Sequence, residues 1–146
     1  MDPILAVRAR VALRWADIDA NFHVRHTVYY DLGSEQRINF LAAYGVTMDH
    51  MQREGFAPVL FREECRFLKE VRINDPVEIE LTISGLSRDF RKFSFQHRFL
   101  RGEEVCAVVR VEGAWFNAVT RKVFVPPQLL TDALEHGPRS EDFAWL

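Results

Sequence analysis

The feature that most constrains this chain lies in its second half, where strand-like segments follow one another with only short turns between them. Segment 77–84 is the cleanest: Val77, Ile79, Leu81 and Ile83 alternate with Glu78, Glu80 and Thr82, the two-residue period of a half-buried strand. Segment 90–100 repeats the alternation with Phe93, Phe95, His97 and Phe99, and Arg101-Gly102-Glu103 turns the chain into segment 104–117. Ala118 to Val125 continues or finishes the sheet, and Pro126-Pro127 ends it. Segment 59–71 carries Val59, Phe61, Cys65 and Phe67 at odd positions ahead of the turn Asn74-Asp75-Pro76. Strands joined by turns this short pair antiparallel.

The first half supplies what covers that sheet. Segment 27–44 reads as a helix, with Thr27 as N-cap and Gly45 just past its end. Its apolar residues, Tyr29, Tyr30, Leu32, Ile38, Phe40, Leu41 and Tyr44, circle the axis, so burial on most sides is expected. A shorter helix follows over 47–54. Ahead of both, Val7, Val11, Leu13 and Trp15 oppose Arg8, Arg10 and Arg14 along segment 6–15, a half-buried strand with a solvated arginine row. The last twenty residues read as a short helix and a polar tail. The predicted architecture is α+β: an antiparallel sheet of about five or six strands wrapped around one long central helix. All 146 residues fit one domain, with a core at about 6–130 and a tail at 131–146. A sheet of this kind leaves edges that favour pairing with a second copy.

Composition excludes several functions. A net charge of −2 argues against a nucleic-acid partner held by phosphate contacts. No apolar run approaches the ~20 residues of a membrane span, and Met1-Asp2-Pro3-Ile4-Leu5 lacks the basic and apolar regions of a signal peptide. A cytoplasmic protein is expected. Cys65 and Cys106 form no CxxC pair and read as buried thiols in a reducing compartment. The twelve Phe residues fill a bulky core or line a cavity.

The chain has no G-x-S-x-G elbow and no G-x-G-x-x-G or Walker A loop, so hydrolysis by a nucleophile elbow and phosphate binding by those loops are unsupported. What remains is the polar break Ala16-Asp17-Ile18-Asp19-Ala20-Asn21-Phe22-His23-Val24-Arg25-His26, where a strand feeds the helix. A helix N-terminus offers unpaired N–H groups and a positive dipole end, which can hold a carbonyl oxygen as it becomes an oxyanion. A carboxylate beside that carbonyl can attack it or activate water. That outfit suffices for a thioester, whose thiolate leaves readily. The same Asp19 could instead cap the loop. Asp17 and His23 read as structural, His97 as a core histidine, and His26 as either substrate-positioning or structural. Asp19, His23 and His26 give only a weak zinc pattern, and no metal or cofactor is expected. Glu35 and Arg37 lie on a helix read as buried, where a charge must be paired or face a cavity; Glu35 is a second candidate carboxylate. Arg88, Arg91 and Lys92 form a basic turn that could clamp phosphates or simply be solvated.

The run from Arg14 to Tyr29 resembles the N-terminal motif of hotdog-fold acyl-CoA thioesterases, in the branch of 4-hydroxybenzoyl-CoA thioesterase and the Tol-Pal-associated thioesterases. Asp17-Ile18-Asp19 matches a D-x-D strand end, and His26 with Tyr29 matches H-x-x-Y entering the central helix. Glu35-Gln36-Arg37 is similar to the family's E-x-R, and the likeness covers roughly residues 8–130. The resemblance implies a hotdog fold, Asp19 as catalytic carboxylate, His26 near the thioester, CoA bound across a subunit interface of a homodimer or homotetramer, and no metal. Phe22, His23, Val24 and Tyr29 then fall to the substrate, with Glu35 and the clamp Arg88, Arg91 and Lys92 beside them. Two positions depart from the family: Phe22 stands where glycine, which allows positive φ, is usual, and Arg25 replaces an asparagine. The activity implied is acyl-CoA hydrolysis; an acyl-thioester binder without turnover and a hydroxyacyl-thioester dehydratase are its alternatives on the same fold.

Overall fold

The computed structural model describes residues 6–146. Its elements are β1 (Arg8–Arg10), a 3-10 turn (Trp15–Asp17), α1 (Val28–Ala43), α2 (Met48–Glu54), β2 (Phe56–Phe67), β3 (Val77–Leu86), β4 (Lys92–Arg101), β5 (Glu104–Asn117), α3 (Gln128–His136) and β6 (Arg139–Trp145). The strands make one six-stranded sheet in the order β1-β3-β4-β5-β2, with β6 also on β3. Every pairing is antiparallel except β6 on β3.

The alternation along β4 becomes the seat of α1. Phe93, Phe95, His97 and Phe99 are all buried. Tyr29 meets Phe99 edge-on at 5.0 Å, Gly33 sits over His97, and Phe40 meets Phe95 at 6.3 Å. The helix therefore runs along β4, its N-terminus at the Phe99 end. Each phenylalanine ring so buried contributes about 1.5–3 kcal/mol. At Gly113 on β5 an added Cβ would lie 2.2 Å from the Val59 carbonyl, so only glycine lets β5 and β2 approach this closely. The fold is the α+β hotdog arrangement, a sheet around a central helix.

Four expectations are corrected. Segment 6–15 yields only the three residues of β1, because the Asp17 carboxylate accepts from Arg14 N–H at 2.8 Å and folds the chain into a turn; Trp15 is 72% exposed there. Phe61 and Phe67 lie outside the core, since β2 is an edge strand paired only with β5. α1 is buried on one face, through Val28, Tyr29, Gly33, Gln36, Arg37, Phe40 and Leu41, and presents Asp31, Ser34, Glu35 and Ile38 outward. Where a polar tail was expected, β6 pairs with β3 through Ile83↔Arg139, Gly85↔Ala144 and Leu86↔Trp145. Cys106 is buried, Cys65 is half-buried, and both are free thiols. Among the described residues no helix is long and apolar enough to cross a membrane.

Candidate functional site

The polar break closes into a small loop. Ile18 and Val24 bridge, Asp19 N–H donates to the His23 carbonyl at 2.9 Å, and Phe22 N–H donates to the Asp19 carbonyl at 3.0 Å. Asp19 reinforces the turn with its own side chain: Oδ1 accepts from Asn21 N–H (2.8 Å) and His23 N–H (3.2 Å). Both bonds go to one oxygen, and Oδ2 has no hydrogen bond among the described residues. Two anchors hold the loop to the protein: Val24 N–H to the Val71 carbonyl (2.8 Å) and Arg25 N–H to the Asp17 carbonyl (2.9 Å).

Phe22 answers the glycine question. It adopts φ +64°, the left-handed conformation a glycine would take, so the turn keeps its shape with a bulky residue in a strained region. Its ring is 70% exposed.

The start of α1 is open. Thr27 occupies the N-cap position, yet its hydroxyl makes no cap bond and instead accepts from Arg25 Nη1 at 2.8 Å. Val28 N–H bonds the Arg25 carbonyl, while the amides of His26 and Thr27 have no acceptor among the described residues. These are the donors a developing oxyanion needs.

Asp19, His23, Val24, His26 and Tyr29 converge on a cleft of about 290 Å³ whose other wall is Phe67, Leu68, Lys69, Glu70 and Val71. His23 Nε2 lies 2.9 Å from Glu70, which makes it part of that wall. Burial pushes the Tyr29 phenol up to about 12, so its O–H stays a donor at neutral pH. The wall 67–71 was read only as the end of strand segment 59–71, not as part of the site; the one signal there is Lys69, a cation just past the end of β2. An adjoining cleft of about 460 Å³ adds Arg72 and Arg101.

Five assigned positions, Phe22, Glu35, Arg88, Arg91 and Lys92, are not among the residues that line this cleft. Arg88, Arg91 and Lys92 sit at the β3–β4 turn, whereas the cleft lies toward Val77 and Arg101 at the other end of those strands, roughly 30 Å away at 3.3 Å per residue. There Arg88 stacks on Trp145 at 4.4 Å and Arg91 pairs with Asp89 at 3.5 Å. One protomer alone does not bring them to Asp19. Glu35 was read as buried, but it is exposed on the outer face of α1 and lines a different cleft, of about 730 Å³, with Asp17, Arg10 and Arg14. The charge that is buried on α1 is Arg37. Among the described residues no three His, Cys, Asp or Glu side chains are placed to hold a metal ion.

The model of the thioesterase-like superfamily matches residues 13–134. A protein of Aquifex aeolicus (strain VF5) named "Putative esterase" is 25% identical over 126 residues, covering 86% of this chain and 95% of its own. A 1,4-dihydroxy-2-naphthoyl-CoA thioesterase from Synechocystis superposes with a TM-score of 0.80 at 17% identity, over 89% of this chain and 96% of that one. A Staphylococcus aureus protein solved in complex with CoA superposes with a TM-score of 0.81 at 16% identity, over 89% of this chain and 82% of that one. At these identities the two structures speak for the fold.

Proposed function

The chain belongs to the thioesterase-like superfamily, and on that premise we propose that it hydrolyses an acyl-CoA thioester to the free acid and CoA, with Asp19 as nucleophile or general base. The observation that carries this reading is the free Asp19 Oδ2 in a cleft beside a helix start whose amides are unclaimed. The thioester carbonyl oxygen accepts from the His26 and Thr27 amides. The Asp19 carboxylate attacks the carbonyl carbon, or takes a proton from water as that water attacks. The C–S bond breaks, and the thiolate leaves and is protonated. In the first route water then hydrolyses the Asp19–acyl anhydride and restores the carboxylate; in the second the attacking water itself becomes the new oxygen of the acid. His26 positions substrate or water, and Phe22, His23, Val24 and Tyr29 contact the substrate.

A second copy completes the site in this reading. β2 is a 12-residue strand with one edge free among the described residues, and Leu60, Phe61 and Phe67 along it and Leu68 just past its end are exposed. An apolar edge of this length is a template for pairing, and Phe67 and Leu68 also wall the cleft. Pairing there gives a homodimer, or the pair within a homotetramer, and it supplies a second Arg88, Arg91, Lys92 and Glu35. An acyl-CoA substrate implies a cytoplasmic enzyme, in keeping with two free thiols.

The test is thiol release from a panel of acyl-CoAs by wild type and Asp19→Asn. The asparagine carbonyl can still accept from Asn21 and His23 N–H, so the variant removes the charge and keeps the turn. Absence of turnover on every acyl-CoA, or full rate in Asp19→Asn, overturns the mechanism. Tight binding by calorimetry without turnover would identify the binder, and loss of water without thiol release the dehydratase.

A further inference from the structure

A single buried row of polar side chains ties α1 to the sheet. His97 is fully buried on β4. Its Nδ1 lies 2.8 Å from Gln36 Oε1, and its Nε2 lies 2.9 Å from Arg37 Nη1. Gln36 Nε2 donates to the carbonyls of Ile79 (3.0 Å) and Val7 (3.2 Å), so its amide oxygen faces His97 and accepts. A guanidinium only donates, so Nε2 of the imidazole accepts and Nδ1 carries the proton. Arg37 reaches on to Glu63 of β2 at 3.7 Å. The row thus runs from the chain just ahead of β1 to the opposite edge of the sheet. At Gly33 an added Cβ would lie 3.2 Å from His97 Cδ2, and the glycine lets the ring come up against the helix.

Apolar contacts tolerate sliding, whereas directional hydrogen bonds weaken steeply with misalignment. We propose that His97 is a positioning residue: through Gln36 and Arg37 it fixes where α1 lies along β4, and thereby where the His26 and Thr27 amides stand relative to Asp19. This rests on the reading of Asp19 as the working carboxylate. The loop that carries Asp19 has its own anchors, at Val71 and Asp17. The spacing between carboxylate and amide donors is therefore set jointly by two separate attachments, of which the His97 row is one.

His97→Gln keeps a polar side chain that can face both partners, and Gly33→Ala presses on the ring without removing any bond. Each is measured for kcat, KM and Tm with the best acyl-CoA, and by NMR for the amide shifts of His26 to Tyr29 against those of Asn21 and His23. A misplacement of a few tenths of an ångström predicts a ~10-fold fall in kcat for His97→Gln, with KM within ~2-fold, and a smaller fall for Gly33→Ala. The shifts at 26–29 move and those at 21 and 23 stay. A lowered Tm with unchanged kcat would reduce His97 to a structural role and overturn the proposal, as would unmoved shifts at 26–29. If the wild type turns over no acyl-CoA, the proposed function fails separately, and the amide shifts alone decide the positioning role.

Discussion

Asp17 and Asp19 stand two residues apart with the same side chain, and the fold puts them to opposite uses. Asp17 is buried, and both its oxygens are engaged: Oδ1 by Arg14 Nη2 at 2.8 Å and Oδ2 by Arg14 N–H at 2.8 Å. Asp19 spends one oxygen on its own turn, and the other has no hydrogen bond among the described residues. Asp17 lines the larger cleft, of about 730 Å³, and Asp19 the smaller, of about 290 Å³. On the proposed reading, cleft size does not mark the working carboxylate. What sets Asp19 apart is an oxygen unbonded among the described residues and a neighbouring helix start with unclaimed donors.

The largest expected break in this comparison is kinetic. Asp19→Asn lowers kcat for thioester hydrolysis by about 10²–10⁴-fold, the range for losing a positioned base, with Tm nearly unchanged. Asp17→Asn does the reverse. It keeps kcat within severalfold and lowers Tm by roughly 2–4 °C, the shift that a ~1 kcal/mol loss makes in a chain of this length. Thermal melts and initial rates on the same two variants decide it, and matching effects would erase the distinction.

A pH series sharpens it. The Arg14 side-chain hydrogen bond, with that residue's N–H, holds the Asp17 carboxyl below the ordinary range. The folded value is below the unfolded one of about 3.9, so this contribution is complete above that pH and is lost as pH falls through the folded value. Burial first, and the Arg37 charge second, hold His97 well below 6.5. Here the unfolded chain takes the proton first, so stability declines as pH drops below about 6.5. The wild-type Tm should fall in two stages, and Asp17→Asn should shrink the lower stage and leave the upper one intact. The smallest effect concerns Phe22→Gly, which relieves the left-handed strain at some entropic cost and nets about 1 kcal/mol of stability. It should raise KM severalfold if the exposed ring touches substrate, and an unchanged KM removes Phe22 from the contacts.

What the sequence showed follows from what its periods report. Segments 77–84 and 90–100 alternate because both are interior strands with one face under α1, so period and burial agree. Thr47 and Gly55 bracket α2 as their chemistry suggests: Thr47 accepts from His50 N–H, and Gly55 takes the left-handed conformation. The same logic misleads at an edge. Phe61 and Phe67 look like core residues because an edge strand carries the same alternation as an interior one. β6 was illegible because its charged run Arg139-Ser140-Glu141-Asp142 has no apolar face, and its pairing is set by β3. The Asp19 loop was legible as a polar break at a helix start. The diversion of the Thr27 hydroxyl to Arg25, which opens that start, depends on side-chain placement that no spacing encodes. His97 read correctly as a core histidine, but its ties to Gln36 and Arg37 cross 61 and 60 positions of sequence.

The strand order carries a consequence for how the molecule is made. β3, β4 and β5 pair with their neighbours in sequence, down to Leu86↔Phe93 and Arg101↔Glu104. β1 and β2 pair only with strands that come much later, through Arg8↔Glu80 and Phe56↔Asn117. Local pairings close early and distant ones late. During synthesis, Asp19 and the whole of α1 emerge before the strands that seat them exist. The proposed reacting groups are thus translated ahead of the strands that seat them and are the last to find their places. Pulse-labelled hydrogen exchange should show β3–β5 amides protected before those of β2, and the reverse order would refute this assembly route.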